Sequence, residues 1–288
     1  MPYTFVAPAV IFLGIFLIYP VFTTIVYSFE QVNVGGLLTG VTPFVGLQNY
    51  QHVLSDPQFQ SAILVSLIFT VTCVVFQFTI GFLLALLFKE RFPLAGPMRA
   101  LLLIPWLLPL IVSATIFKWM LQTDNGIINY ALLSFHLLSH PITWLDDPKI
   151  ALVGPIIANI WIGIPFNMSL LMAGLQGIPG SLYEAATVEG ARGWQQFRRI
   201  TWPMMRAQSL AVLVLGTILT INVFDLIYVM TGGGPVDATT TLPLYAYQNS
   251  FVFYQLGNGA AATMLLFLFL LVVAVVYLAL LSKEEVNA

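Results

Sequence analysis

The chain has 288 residues, 59% hydrophobic and only 8% charged, with a formal net charge of -2 and a mean hydropathy of +0.93. Soluble domains carry about 25% charged residues, so an ordinary soluble enzyme is excluded, and basic residues confined to a few loops exclude a nucleic-acid binder. A lone cysteine, Cys73, excludes both a disulfide framework and a thiolate metal site.

Uncharged runs of the roughly 20 residues that cross a bilayer core as a helix recur along the sequence. The first, residues 5–29, is too long for a signal peptide, lacks a basic leader and precedes no clear cleavage site, so it reads as a retained span. A loop at 30–60 follows, then a second span at 61–88 with Cys73 in its middle. The third, 100–117, continues past Lys118 and contains Pro105 and Pro109, which are placed to kink it and aim Trp106. After a loop at 122–149 come a fourth span at 150–175, a polar loop at 177–206, and a fifth span at 207–224 that continues past Asp225. Gly232-Gly233-Gly234-Pro235 reads as a turn leaving that span. A sixth run covers 258–282. Strand alternation is absent and the runs exceed barrel-strand length, so the expected fold is all-α, a polytopic membrane protein with six transmembrane helices.

Lys and Arg in short loops are retained in the cytoplasm. Lys89, Arg91, Arg99, Arg192, Arg198, Arg199, Arg206 and Lys283 fall on one side; only Lys118 and Lys149 fall on the other, where Glu30, Asp56, Asp124, Asp146, Asp147 and Asp237 collect. Both termini and the 177–206 loop are thus expected in the cytoplasm, and 30–60 and 122–149 outside it.

Phosphate-loop, zincin and nucleophile-elbow motifs are absent. His136 and His140 share a helical spacing but have no third ligand, so no metal site is expected. What stands out is the polar stretch from Ser181 to Pro203. Ser181 and Glu184 spell a capping box that starts a short helix, Gly190 stops it, and a second amphipathic segment runs from Trp194 through Phe197 to Ile200, closed by Pro203. Leu182, Ala185, Ala186 and Glu189 fall near one stripe, and the two alanines let a partner backbone approach. The simpler readings are a cap alone or a helix lying on lipid.

Glu184-Ala185-Ala186, then Gly190, Ile200 and Pro203, resembles the EAA loop of permease subunits of binding-protein-dependent ABC importers. Further segments resemble the sugar-permease branch, the maltose and glycerol-phosphate type: Phe44-Val-Gly-Leu-x-Asn49-Tyr50, Asp56-Pro57-x-Phe59, Ile104-Pro105-Trp106, Asn159-x-Trp161-x-Gly163-x-Pro165, Leu175-Gln-x-Ile178-Pro179, and Phe224-Asp225 through Thr231 to Pro235. The chain departs from the pattern at Glu189, where Asp is more usual, and at Trp202, where Leu is common. The resemblance implies a type I ABC importer permease fold over one transmembrane permease domain at 1–288, in a bacterial or archaeal inner membrane. It implies that Glu184, Ala185, Ala186, Glu189, Gly190 and Ala191 dock on the ATPase. Trp106, Asn159, Gly163, Phe166, Thr220 and Asn222 would line a sugar path, with Asp225 as a further path or gate residue. Positions polar in maltose permeases are Leu110 and Val223 here, so a maltose site does not transfer whole.

The function this implies is half of the translocation path for a carbohydrate or polyol, driven by hydrolysis on a separate ATPase. The expected partners are a homologous second permease subunit, favouring a heterodimer, two ATPase copies, an extracytoplasmic solute-binding protein and the lipid bilayer. The chain itself would bind no cofactor; ATP and Mg belong to the ATPase. A secondary transporter, which would need an intramembrane ionisable relay, and a non-transporting scaffold that docks a cytoplasmic partner are the alternatives.

Overall fold

The computed structural model describes residues 3–90 and 92–286; Arg91 and the side chain of Lys283, used above for orientation, lie outside the described residues. Four unbroken helices are long and apolar enough to span a bilayer: α1 (Val6–Ser28), α4 (Pro57–Lys89), α8 (Val153–Gln176) and the apolar part, Leu256–Tyr277, of α14 (Leu256–Val286). Two more spans are bent pairs. Helices α5 (Ala95–Leu107) and α6 (Leu110–Met120) meet at 95°, and α10 (Gly193–Met204) and α11 (Arg206–Ile221) at 65°. Counting each pair once gives six, the number expected, although α10, the first half of the second pair, falls within the stretch read as the 177–206 loop. Shorter helices are α2 (Val34–Thr39), α3 (Gln48–Ser55), α7 (Ile127–Ser134), α9 (Gly180–Val188), α12 (Asp225–Met230) and α13 (Leu242–Tyr247). Among the described residues no strand forms, only isolated bridges such as Glu30 with Phe44.

The chain divides into two compact units. The first comprises Met1–Leu64 and Thr240–Leu271. Side chains on every side of α1 are apolar and exposed, among them Val10, Phe12, Phe16 and Leu17. Such a surface belongs in lipid or against another subunit rather than in water. Beyond it the motif residues shared with sugar permeases act as fasteners. Asn49 donates from Nδ2 to the carbonyls of Ser28 (3.0 Å) and Glu30 (2.9 Å), and Tyr50 donates to Ser28 Oγ at 2.7 Å. Asp56 caps α4 by accepting from Gln58 N at 2.9 Å, with Pro57 at the first helical position where its missing N–H costs nothing.

The second unit comprises Val65–Thr239 and Val272–Ala288. Its core packs Phe82, Ala85 and Phe88 of α4 against Met168, Leu171 and Leu175 of α8 and Val212 of α11. Close approach depends on missing side chains. A Cβ on Gly81 would stand 2.7 Å from Asn167 Cβ, so α4 and α8 touch almost backbone to backbone. Outside the spans, Asn129 is a buried hub. Its Nδ2 donates to the carbonyls of Thr123 and Ile142, both at 2.9 Å, and its Oδ1 accepts from Ile142 N at 3.2 Å and Trp144 Nε1 at 3.0 Å.

Proline explains the bend in the third span. Pro109 starts α6 and forces Leu108 into extended backbone (ψ 140°), which breaks the helix there. The fifth span differs from expectation. It ends at Ile221, and Asp225 opens the separate α12 rather than extending the span. Lys118, in the last turn of α6, donates from Nζ to Val229 O at 2.9 Å, satisfying a carbonyl at the end of α12.

Candidate functional site

Two regions of the second unit concentrate polar chemistry. The first is a cavity of about 330 Å3 between α4, α5, α8 and α11. Trp106, Asn159, Gly163, Phe166 and Thr220, all read from the sequence as path residues, line it together with the apolar Leu110 and Val223. The bend in the third span delivers Trp106, which is 52% exposed and lies 5.9 Å from the Phe166 ring at 40°. None of the lining residues is ionisable. Asn222 is not among them: its Nδ2 donates back to Ile218 O at 2.7 Å, because the helix has already ended at the preceding residue. Asp225, exposed in the first turn of α12, is not in the lining either.

Gln77 and Asn167 also line the cavity and are buried; Asn167 belongs to the polar residues that punctuate the fourth span, whereas Gln77 was not read as a path residue. Asn167 donates to Gly163 O at 2.9 Å and so serves its own helix. Gln77 reaches across from α4 and donates from Nε2 to Asn159 O at 2.8 Å. A signal was present, since Gln77 is the one carboxamide in the apolar run 61–88, and a polar group there needs a partner or a wet cavity. By contrast, Asn159 Nδ2 is fully buried with no hydrogen-bond partner. Leaving such a donor unpaired costs about 1–3 kcal/mol.

The second region is the Ser181–Pro203 loop. A helix does start where expected, at Gly180, but not by the expected cap: Pro179 precedes it and no side chain bonds its first turn. Starting one residue earlier puts Ser181 inside the helix, out of position to cap it. The reciprocal bond forms one helix later, where Gln195 Oε1 accepts from Arg192 N at 2.8 Å. Gly190 ends α9 with φ +80°, and Ala191 N returns to Ala186 O at 2.8 Å, the Schellman closure that a left-handed glycine permits. Glu184, Ala185, Glu189 and Gly190 are exposed; Ala186 and Ala191 are half-buried. Pro203 does not close the second segment. A wide turn over Phe197–Thr201, bonded five residues apart, accommodates it, and α10 runs on to Met204.

Aromatic packing fastens this loop to the end of α4. Phe82 meets Phe197 and Trp202 edge-on at 6.0 and 6.1 Å, Tyr183 Oη and Thr201 Oγ1 lie 2.9 Å apart, and Lys89 Nζ sits 3.7 Å above the Tyr183 ring. Each aromatic pair adds about 0.5–1.5 kcal/mol beyond area burial. These contacts tie the loop to α4, one of the helices that enclose the cavity.

The family described as binding-protein-dependent transport system inner membrane component matches residues 77–284, which include both regions. The chain belongs to that family. It is a multi-pass membrane protein, and its match begins at Gln77 itself. A trehalose/maltose transport system permease protein of Thermococcus litoralis is 37% identical over 96% of this chain and 92% of its own. A sulfoquinovosyl glycerol transport system permease protein of Agrobacterium fabrum is 36% identical over 97% and 89%. In fold, the chain is similar to a bacterial ABC transporter involved in import of the acidic polysaccharide alginate, with a TM-score of 0.83 at 23% identity over 98% of this chain and 94% of the other. The same transporter in complex with alginate pentasaccharide-bound periplasmic protein gives 0.82 at 22% identity over 96% and 92%. As a member of that family, the chain is a membrane component of a transport system, and its relatives are named as permeases.

Proposed function

We propose that this family permease forms half of the path for a neutral carbohydrate or polyol in an ATP-driven importer, with the cavity of α4, α5, α8 and α11 as its solute site. The observation that carries this reading is the convergence of Trp106, Asn159, Gly163, Phe166 and Thr220 on one cavity without an ionisable side chain. Aromatic faces suit the C–H surfaces of a sugar, and the carboxamide residues of the lining suit its hydroxyls. A phosphorylated solute would lack a cationic partner there. The names of the Thermococcus and Agrobacterium relatives support a glycosidic solute.

In this reading the termini and the Ser181–Pro203 loop face the cytoplasm. Glu184, Ala185, Ala186, Glu189, Gly190 and Ala191 present the docking face to one of two ATPase copies, which bind the ATP and Mg. A solute-binding protein delivers the solute from outside, as the periplasmic protein bound to the alginate transporter suggests. A second, non-identical permease supplies the other half of the path and covers part of the apolar α1. Asn222 and Asp225, outside the cavity, keep at most a gating role. ATP-driven closure of the ATPase pair would move the docked loop, and the Phe82, Phe197 and Trp202 contacts would pass that movement to the cavity wall.

The test is purification of the tagged chain in mild detergent followed by reconstitution with its binding protein in liposomes. Co-purifying ATPase and ATP-dependent uptake of the sugar that the binding protein carries are expected, with uptake falling at least tenfold in Trp106→Ala. A chain that retains no ATPase, or a Trp106→Ala complex with normal uptake, would contradict the proposal.

A further inference from the structure

The carboxamide of Gln77 occupies the space that the side chain of residue 163 would otherwise take. A Cβ added at Gly163 would stand 2.3 Å from Gln77 Cδ and 2.7 Å from its Oε1. A side chain at 163 would have to push the Gln77 carboxamide aside. The orientation of the carboxamide is fixed by chemistry. Asn159 O can only accept, so the atom 2.8 Å from it is the donor Nε2, and Oε1 is left without a protein partner. On the neighbouring turn Asn159 Nδ2 is enclosed by protein on the side of Cys73, without access to the cavity space. Both residues line the same cavity, and Gln77 is 4% exposed.

We propose that Gln77 determines specificity in the solute cavity: held by its bond to Asn159 O, it offers a carboxamide oxygen that accepts from a hydroxyl of the solute. A hydroxyl donates one hydrogen bond and so can satisfy this oxygen, whereas a keto or ether oxygen can only accept and cannot. The site thereby favours polyhydroxylated solutes over apolar ones of equal size. Discrimination follows from the cost of leaving a buried polar atom unpaired when the hydroxyl is missing. This inference rests on the carbohydrate reading above and adds to it the group that tells one hydroxylated solute from its deoxy analogue.

The binding protein's own selectivity would mask this effect in uptake, so the experiment measures equilibrium binding to the detergent-purified permease–ATPase complex with the binding protein omitted. The probes are maltose, trehalose, glucosylglycerol and sorbitol, each in radiolabelled form, and the monodeoxy analogues of whichever binds. In the wild type, one deoxy position should weaken binding about five- to tenfold, the scale of one ordinary net hydrogen bond. Gln77→Leu, of similar volume but without polar atoms, should weaken the parent solute by a similar factor and abolish the penalty at that position alone. Gly163→Ala, which pushes the Gln77 carboxamide aside, should assemble but lose the deoxy discrimination as Gln77→Leu does. A Gln77→Leu or a Gly163→Ala complex that keeps the wild-type deoxy profile overturns the assignment. A wild-type complex that binds none of the probes overturns the carbohydrate reading itself.

Discussion

Tyr245 donates its phenolic hydrogen to Oδ2 of Asp56 at 2.6 Å, joining the start of the second span to the connection between the fifth and sixth across 189 positions of sequence. Phe59 supports the bond from one side, its ring 5.2 Å from that of Tyr245. The Asp56-Pro57-x-Phe59 segment thus acts as one device, in which the carboxylate caps α4 through Oδ1 and anchors Tyr245 through Oδ2. Burial pushes the Tyr245 phenol well up from its usual value, and the hydrogen bond to Asp56 and that residue's charge push it further. Because the folded state holds this proton more tightly, the contribution is fully present below the ordinary phenol value of 10.0 and is lost as pH rises toward the folded value. Tyr245→Phe should cost about 1.5–3 kcal/mol at neutral pH, the range for hydrogen bonds to charged groups, and the gap to wild type should narrow above about pH 10. Thermal melting of the purified complex against pH measures both; a pH-independent gap would remove Tyr245 as the titrating group.

Gly190 offers a test in which sterics and backbone strain separate. Nothing lies within 4 Å of a Cβ placed there, so a substitution would meet no neighbour. Its φ of +80° nevertheless costs an ordinary L-residue about 1–2 kcal/mol, and asparagine less. Gly190→Val should open the Ala191–Ala186 closure and reduce solute-stimulated ATP hydrolysis several-fold, with Gly190→Asn intermediate. Equal effects of Val and Asn would mean that the left-handed turn does not matter.

Much of this was readable because lipid imposes simple rules. Run lengths gave the six spans, and Pro109 gave the break beside Trp106, since a proline fixes its own φ and restricts its predecessor whatever surrounds it. Five path residues read by resemblance do share a cavity. The errors fall where a tertiary partner or a one-residue shift decides. Asn222 misses the cavity because α11 ends at Ile221, and apolarity carries no information about where a span unwinds. Ser181 fails as a cap because Pro179 starts the helix first. Gln77 was overlooked because periodicity along α4 says nothing about Gly163, 86 positions away.

Losing the Ser181–Glu184 cap changes what a Glu184 variant reports. Glu184 is exposed and caps nothing, and alanine is the better helix former. Glu184→Ala should therefore leave the melting stability of the complex within about 0.5 kcal/mol of wild type, as for other surface changes. Solute-stimulated ATPase activity should nonetheless fall by tenfold or more if Glu184 belongs to the docking face. Parallel losses of stability and stimulation would point to a structural role instead.

Asn129 is the position where one atom matters most in the 122–149 loop. Besides a longer contact to Gln122 O at 3.5 Å, its amide makes two donor and two acceptor contacts, tying Thr123, Ile142 and Trp144 around a side chain that is 2% exposed. Neither isosteric neighbour can replace it. Aspartate keeps the acceptors but turns the donor toward the carbonyls of Thr123 and Ile142 into a second oxygen, while leucine satisfies none of the four. Each unpaired buried group costs about 1–3 kcal/mol, so Asn129→Asp and Asn129→Leu should each destabilise the loop by about 2–5 kcal/mol. Because protonation restores one donor to the carboxyl, the Asp variant should recover part of its loss in acid, and the Leu variant should not. Hydrogen exchange at Ile142 N, whose bond at 3.2 Å ends on this side chain, reads the local opening directly. Wild-type protection of that amide in the leucine variant would show that the loop is held by its apolar contacts rather than by Asn129.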